Sequence, residues 1–131
     1  MFMIKKIAAA SQIAVVAALS LFAVPPAAPR TARAVTGTAV YYNDKMNGKT
    51  LAAKGEKYDS NALTAATHKT FTLGSTVKVT NLSNNKSVTV KVNDRMNPSS
   101  KSVIDLSRKA AEEIDLIHPG HTKVRVELAG L

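Results

Sequence analysis

The chain has 131 residues, which is enough for one domain. It contains no cysteine, which excludes a disulfide framework and the attachment of a lipid to a cysteine side chain. Its 18 basic and 9 acidic residues give a formal net charge of +9, so an anionic partner is favoured over a cationic one.

The N-terminal segment has the order of features that is typical of a secretory signal peptide. The basic pair Lys5-Lys6 precedes an apolar run over 7–24, and prolines and the small-x-small sequence Ala32-Arg33-Ala34 follow. The run is close to the length that spans a bilayer, so a transmembrane anchor is the alternative. The prolines and the cleavage sequence favour a cleaved signal, which predicts a signal peptide at 1–34 and one domain at 35–131.

Export and the net charge of the exported part predict the compartment and the partner of this domain. Cleavage after residue 34 removes four basic residues and no acidic one, which leaves 14 basic against 9 acidic residues and a net charge of +5. That charge favours a bacterial wall, a membrane surface or nucleic acid as the partner, although it also serves solubility alone. We therefore expect a periplasmic or extracellular protein that leaves the membrane after cleavage. Because the chain lacks cysteine, we do not expect a lipoprotein.

The rest of the chain is dominated by short strand patterns. β-branched residues and period-2 alternation predict strands at 37–42, 63–66, 77–80, 88–93 and 123–128. Turn-forming residues separate the third strand from the fourth, which predicts a β-hairpin, and alternation places Val88, Val90 and Val92 on one face. With no disulfide and no tryptophan, the core must be aliphatic, and closure of the sheet suits a domain of this size.

Two segments depart from the strand pattern. The stretch 43–61 is polar and predicts a long loop, and loops of such length in compact domains are usually functional. A short helix is predicted to open with the segment 104–107, where Asp105 or Ser107 can serve as the N-cap, and we interpret Asp105 as a structural cap. Apolar residues spaced four apart along the predicted helix are expected to face the core: Leu106, Ala110 and Ile114.

Residues that can carry chemistry lie in three places. The fourth predicted strand ends on Asp94, the long loop carries Glu56, and His68 follows the short strand at 63–66. Acid–base chemistry on a sugar requires one or two well-held carboxylates in a polar groove. The alternative for Asp94 is an Asx turn, and the alternative for Glu56 is a solvated loop charge.

Eight short strings run in a consistent order along nearly all of the predicted domain: GTAVYY at 37–42, GEKYD at 55–59, LTAA at 63–66, HKTFTLG at 68–74, VKVTNL at 77–82, VKVNDR at 90–95, IDLS at 104–107 and VRVE at 124–127. Together these strings resemble the rare lipoprotein A (RlpA)-like family of double-psi β-barrels. The resemblance implies an all-β fold, a six-stranded double-psi β-barrel with one short helix and a groove that binds peptidoglycan.

The resemblance also implies an activity. Family members include lytic transglycosylases, among them septal ring enzymes, which cleave between N-acetylmuramic acid and N-acetylglucosamine, leave a 1,6-anhydro end and use no water. Expansin-like domains share the fold and loosen walls without cutting. The leading hypothesis is therefore an exported lytic transglycosylase, and the alternative is a non-catalytic, expansin-like module that binds and loosens the wall.

Site residues follow from the same resemblance. The family's catalytic aspartate falls on Asp94, its acidic loop residue on Glu56 and its histidine on His68. Substrate binding is assigned to further residues in or beside these strings: Asp59, Tyr42, Tyr58, Thr64, Asn93 and Arg95. The two tyrosines are alternatively core residues, and Asp59 is alternatively a residue that holds the loop through backbone N–H groups.

The chain departs from the family's strings beside two of these residues. Thr67 is an extra residue before His68, which predicts a displaced histidine or a bulged loop. Met96-Asn97 stands where Gly-Pro usually follows Asn-Asp-Arg, and that loop borders the groove. The second departure bears on how substrate fits.

Other functions find little support in the sequence. His118 and His121 flank a Pro-Gly turn with no third ligand near them, so we predict no metal site and no cofactor. Export and the lack of an aromatic platform argue against nucleic acid. We expect a monomer whose partner is the glycan strands of peptidoglycan.

Overall fold

The computed structural model describes residues 34–53 and 55–129, and the predicted signal peptide falls outside them apart from its last residue. The described elements are β1 (Ala34–Tyr41), a 3₁₀ turn (Asp44–Met46), β2 (Thr64–Thr67), β3 (Thr76–Asn81), β4 (Ser87–Arg95), β5 (Ile104–Leu106), α1 (Arg108–Glu113) and β6 (Thr122–Leu128). No helix within these ranges is long and apolar enough to cross a bilayer.

The strands close into a barrel in the order β1-β5-β2-β4-β3-β6, and β6 pairs back onto β1. The β1–β5 and β2–β4 pairs are parallel, and the other pairs are antiparallel. Closure gives each of these strands a partner on both sides, which removes the free edges that promote aggregation. The prediction of a six-stranded all-β barrel with one short helix is confirmed, as is the β3–β4 hairpin.

The interior of the barrel is aliphatic, as the composition predicted. Inward positions alternate along β3, β4 and β6, where Val88, Val90 and Val92 of β4 are all buried. Phe71 is the one aromatic member among the fully buried residues of this cluster in the described ranges. Each valine or leucine withdrawn from water contributes about 1.5–3 kcal/mol, so an interior of this kind replaces the missing disulfides.

The segment Ile104–Leu106 is a strand, and its prediction as the opening of the helix was wrong. Ile104 and Leu106 are fully buried, whereas Asp105 between them points to the outer face. A strand of three residues is too short for its alternation to be told from a helical pattern. Ser107, not Asp105, caps the helix: its Oγ accepts from the Ala110 N–H at 3.2 Å.

The N-terminus of α1 holds the long loop between β1 and β2. The Ser107 hydroxyl donates to the Ala62 carbonyl at 2.6 Å, and the Lys109 N–H donates to the Ser60 carbonyl at 3.0 Å. The Arg108 guanidinium binds both oxygens of Asp44 at 2.9 Å. The N–H groups at a helix start have no partner inside the helix, and here the loop satisfies part of that requirement.

Replacement of Ser107 by alanine should therefore loosen the loop and destabilise the fold. We expect Ser107→Ala to lower the free energy of unfolding by about 2 kcal/mol, because the helix loses its cap and the Ala62 carbonyl loses its donor. Urea denaturation measures the change. Ser87→Ala on exposed β4 surface is the matched control, for which a change within about 0.5 kcal/mol is expected; equal changes in both variants would contradict the argument.

Candidate active site

A β-bulge turns Asp94 out of the barrel. β2 and β4 run in parallel register, with Ala65 opposite Val92 but Ala66 opposite Asp94, so Asn93 is an additional residue on β4. Strict alternation after Val92 would place Asp94 in the aliphatic interior. Because the register shifts by one residue, Asp94 instead shares the outer face with Ala66, which packs outside the main core.

Two donors hold the Asp94 carboxylate. The Tyr42 hydroxyl donates to Oδ2 at 2.6 Å, and the Ala53 N–H donates to Oδ1 at 3.1 Å. The first distance is that of a charge-assisted O–H···O⁻ bond. Asp94 is only 8% exposed, so its position is fixed by these bonds and by the strand rather than by solvent. The Asx-turn alternative finds no support, since both oxygens bind groups remote in sequence.

Tyr42 and Tyr58 stack on each other over this carboxylate. Their ring centroids lie 4.5 Å apart with an interplanar angle of 12°, and both rings are buried. The Tyr58 oxygen accepts from the Arg108 N–H at 3.0 Å. Burial, and then the bond to Asp94, raise the pKa of Tyr42 well above its ordinary value, so this hydroxyl remains a proton donor at neutral pH. Contact of either ring with sugar stays a prediction.

One turn of the long loop brings Glu56 to the same strand end. The Leu51 N–H donates to the Glu56 carbonyl at 2.6 Å, which closes the turn that also carries Ala53. The Asn93 side-chain amide donates to Glu56 Oε1 at 3.2 Å. The additional residue of the bulge thus links Glu56 to the end of β4 that carries Asp94.

His68 and Arg95 lie beside Asp94 rather than against it. The His68 Nε2 atom bonds the Ser102 carbonyl at 3.0 Å, and the Arg95 guanidinium donates to Thr67 Oγ1 and to the His68 carbonyl, each at 3.3 Å. The extra Thr67 is accommodated as the buried last residue of β2. Among the described residues, no hydrogen bond joins His68 to Asp94, so the imidazole has no direct link to that carboxylate.

A cavity of about 380 Å³ adjoins the site. Its lining combines imidazole, cationic and apolar side chains: His68, Lys69, Arg95, Met96 and Pro98. Met96 also packs against the Tyr42–Tyr58 pair, so this side chain connects the cavity to the surroundings of Asp94. Of the two residues that depart from the family string, Met96 and Asn97, Met96 therefore lines the cavity.

The remaining predicted residues lie further from Asp94. Asp59 is exposed, and its Oδ1 accepts from the Asn61 N–H at 2.8 Å, which is the loop-holding role that was its alternative. Thr64 is half-buried beside Ser107 at the start of β2. A second cavity of about 350 Å³, beside α1, is lined by none of the predicted site residues.

Sequence reasoning missed Asp105. It pairs with Ala66 from β5, as Asp94 does from β4, so the two carboxyl groups flank one alanine on the outer face. Its Oδ1 is buried and has no hydrogen-bond partner among residues 34–53 and 55–129. Burial, followed by the charge of Asp94, raises the pKa of Asp105 to about 6. Only the strand order could have revealed this residue, because the chain between Asp94 and Asp105 gives no sign of their shared neighbour.

Comparison with known proteins decides the family. The family model described as lytic transglycolase, a double-psi β-barrel, matches residues 34–126. The chain belongs to this family. The RlpA-like resemblance of its sequence strings is thereby confirmed.

Relatives within the lytic transglycolase family are similar over the barrel alone. The endolytic peptidoglycan transglycosylase RlpA of Campylobacter jejuni is 48% identical over 94 residues, which are 72% of this chain and 34% of that protein. The protein of the same name from Pasteurella multocida is 50% identical over 95 residues, 72% of this chain and 32% of that one. The chain thus spans about a third of the length of these curated relatives.

A solved structure shares the fold. The expansin of Clavibacter michiganensis superposes with a TM-score of 0.59 and 18% identity over 75% of this chain and 51% of that one. At this identity the likeness concerns the barrel architecture and carries no statement on activity.

Replacement of Asp105 should change how stability depends on pH. The folded-state pKa of about 6 lies above the ordinary 3.8, so Asp105 favours folding below about pH 4 and loses that contribution as pH rises through 6. The ionisable groups that face Asp105 are Asp94 from β4, Tyr42 from the end of β1 and Tyr58 from the loop. Its neighbour on β2 is Ala66, which does not ionise. Asparagine does not ionise, so Asp105→Asn should gain about 2 kcal/mol relative to the parent between pH 4 and pH 8.

Thermal unfolding across that pH range measures the difference between the two proteins. Glu113→Gln removes an exposed carboxylate from α1 and is the matched control, expected to show no such pH-dependent gain. A constant offset between Asp105→Asn and the parent at every pH would contradict the assignment.

Proposed function

We propose that this protein is an exported lytic transglycosylase, which cleaves the bond between N-acetylmuramic acid and N-acetylglucosamine in peptidoglycan and leaves 1,6-anhydro ends. One observation carries the proposal. Asp94 stands where the family strings expect the catalytic aspartate, turned outward by the bulge and held by Tyr42 and Ala53. Membership of the lytic transglycolase family and the names of the relatives support the same substrate.

The chemistry requires a carboxyl group that can give and take a proton. As the glycosidic bond breaks, an acid protonates the leaving oxygen of N-acetylglucosamine. A base then takes the proton of the muramoyl 6-hydroxyl, whose oxygen bonds the anomeric carbon. No water is consumed, so no second carboxylate is needed to activate one, in contrast to the inverting hydrolases. Asp94 can act as acid and base in turn.

The neighbours of Asp94 support substrate positioning. Glu56 is exposed, and its Oε1 accepts from the side-chain amide of Asn93, the residue before Asp94. The cavity at His68 and Arg95 has the size of a small-ligand site, and its cationic and polar groups suit the hydroxyl and carboxyl groups of a muramoyl residue. We assign Glu56 and His68 assisting roles on this basis.

Location follows from the substrate. Peptidoglycan lies outside the cytoplasmic membrane, so the proposed activity requires the export that the N-terminal sequence predicts. The basic residues Lys78, Lys91 and Lys123 are exposed on the strands, where they favour approach to anionic wall polymers. We propose that the domain acts as a monomer in the periplasm or outside the cell.

Replacement of Asp94 by asparagine tests the proposal. Purified chain is incubated with peptidoglycan, and the soluble products are analysed by mass spectrometry. We expect the parent to release muropeptides with 1,6-anhydro ends, and Asp94→Asn to release them about 10²–10⁴-fold more slowly, because the acid/base group is lost. Glu113→Gln should retain the parent rate, since that side chain is exposed on α1.

Three results would contradict parts of the proposal. Unchanged activity in Asp94→Asn would remove that residue from the chemistry. Products with hydrated reducing ends would indicate a hydrolase, which needs a second carboxylate to activate water. Protein that sediments with the wall without forming new sugar ends would favour the expansin-like module.

A further inference from the structure

The buried oxygen of Asp105 has no structural explanation. Buried polar atoms in proteins are almost always hydrogen-bonded, and a carboxylate without a partner in a buried site destabilises the fold. Within the described ranges Asp105 Oδ1 has no partner, although the Ser107 hydroxyl nearby donates to Ala62 and accepts from Ala110 as the helix cap. An asparagine or a small apolar residue would fill this position at lower cost, so the carboxyl group serves something other than stability.

Strand order brings Asp105 next to the site. β2 lies between β4 and β5, and Ala66 on β2 is opposite Asp94 on one side and Asp105 on the other. Adjacent strands lie about 4.8 Å apart, which puts the Cα atoms of the two aspartates about 10 Å apart on one face. Only the methyl group of Ala66 stands between them. This backbone spacing is compatible with the carboxyl-to-carboxyl separation of about 5–10 Å in sugar-cleaving enzymes whose paired carboxyl groups flank a glycosidic bond.

The two carboxyl groups have unequal surroundings. Asp94 accepts hydrogen bonds at both oxygens, which is the pattern of an ionised carboxylate. Asp105 receives no such donor at Oδ1 and faces the negative charge of Asp94. Tyr42 and Tyr58, the other ionisable groups that face Asp105, have raised pKa values and stay neutral. When two neighbouring carboxyl groups differ in this way, the one that keeps its proton can serve as the acid and the ionised one as the base.

We propose that Asp105 is a second catalytic carboxyl group, which gives its proton to the leaving glycosidic oxygen while Asp94 takes the proton of the muramoyl 6-hydroxyl. This inference rests on the proposed function and divides its acid–base steps between two residues. The bond from the anomeric carbon to the leaving oxygen breaks, and a bond from that carbon to the 6-oxygen forms. One proton leaves Asp105 and one arrives at Asp94, and transfer through solvent then restores the resting state without any co-reactant.

The test compares Asp105→Asn and Asp94→Asn with the parent in the peptidoglycan assay and in thermal unfolding. We expect Asp105→Asn to lose at least about 100-fold in the rate of anhydro-product release while its melting temperature at pH 8 stays equal to or above that of the parent. A residue with only a structural role would lose stability together with activity. The parent kcat/KM should fall as pH rises above about 6, and the residual activity of Asp105→Asn should lack that limb.

The outcomes separate the two proposals. If Asp105→Asn keeps the parent rate while Asp94→Asn is inactive, the second carboxyl group is overturned and the proposed function stands. If the parent itself forms no anhydro ends, the proposed function is overturned, and the catalytic role of Asp105 with it. Glu113→Gln, with its exposed side chain, should match the parent in every measurement.

A titration tests the pairing independently of activity and of the Asp105 variant. Carbon-13 NMR of labelled aspartate carboxyl groups follows Asp105 in the parent and in Asp94→Asn. We expect the midpoint of Asp105 to lie above the ordinary aspartate range in the parent and to fall when the neighbouring charge is removed. An unshifted midpoint in both proteins would overturn the shared site.

Discussion

The one-residue shift between β2 and β4 is the constraint on which the site depends. Period-2 geometry fixes the face of every side chain on a strand, so only an additional residue can change the face of those that follow. Asn93 is that residue. If Asn93 instead occupied a regular position and alternation continued after Val92, Asp94 would point into a cluster of valines, where an ionised carboxylate costs several kcal/mol. The bulge thus allows one strand to supply both core and chemistry.

The long loop between β1 and β2 is held to the rest of the domain in two places. The N-terminus of α1 binds its later part through Ser107 and Lys109, and the end of β4 binds its middle through Asp94 and Asn93. The stacked tyrosines lie between these anchors. Because the loop has few apolar residues of its own, its position depends on these polar contacts. The carboxylate of Asp94 is thereby held in place although part of its surroundings is irregular chain.

The sequence predicted the parts of this molecule that depend on local pattern. Alternation along β3, β4 and β6 was sufficient for the hairpin and the final strand, and the ordered strings were sufficient for the barrel. β5 was missed because three residues carry too little periodicity, and Ser107 and Asp105 are equally good caps by composition. The bulge could not be told from the sequence, since a polar Asp94 at the inward position after Val92 equally indicates the end of the strand. Asp105 was misassigned because its place beside Asp94 depends on β2, which lies between their two strands and comes much earlier in the chain.

The closure of the barrel also sets when the chain can fold. β6 pairs with both β1 and β3, so the first described strand finds its antiparallel neighbour only in the last. Contacts between such distant segments form slowly, because the loop between their ends must close first. A chain that lacks β6 therefore leaves one edge of β1 and one edge of β3 without a partner. For the export proposed above, this order favours completion of the barrel only after the whole domain has crossed the membrane.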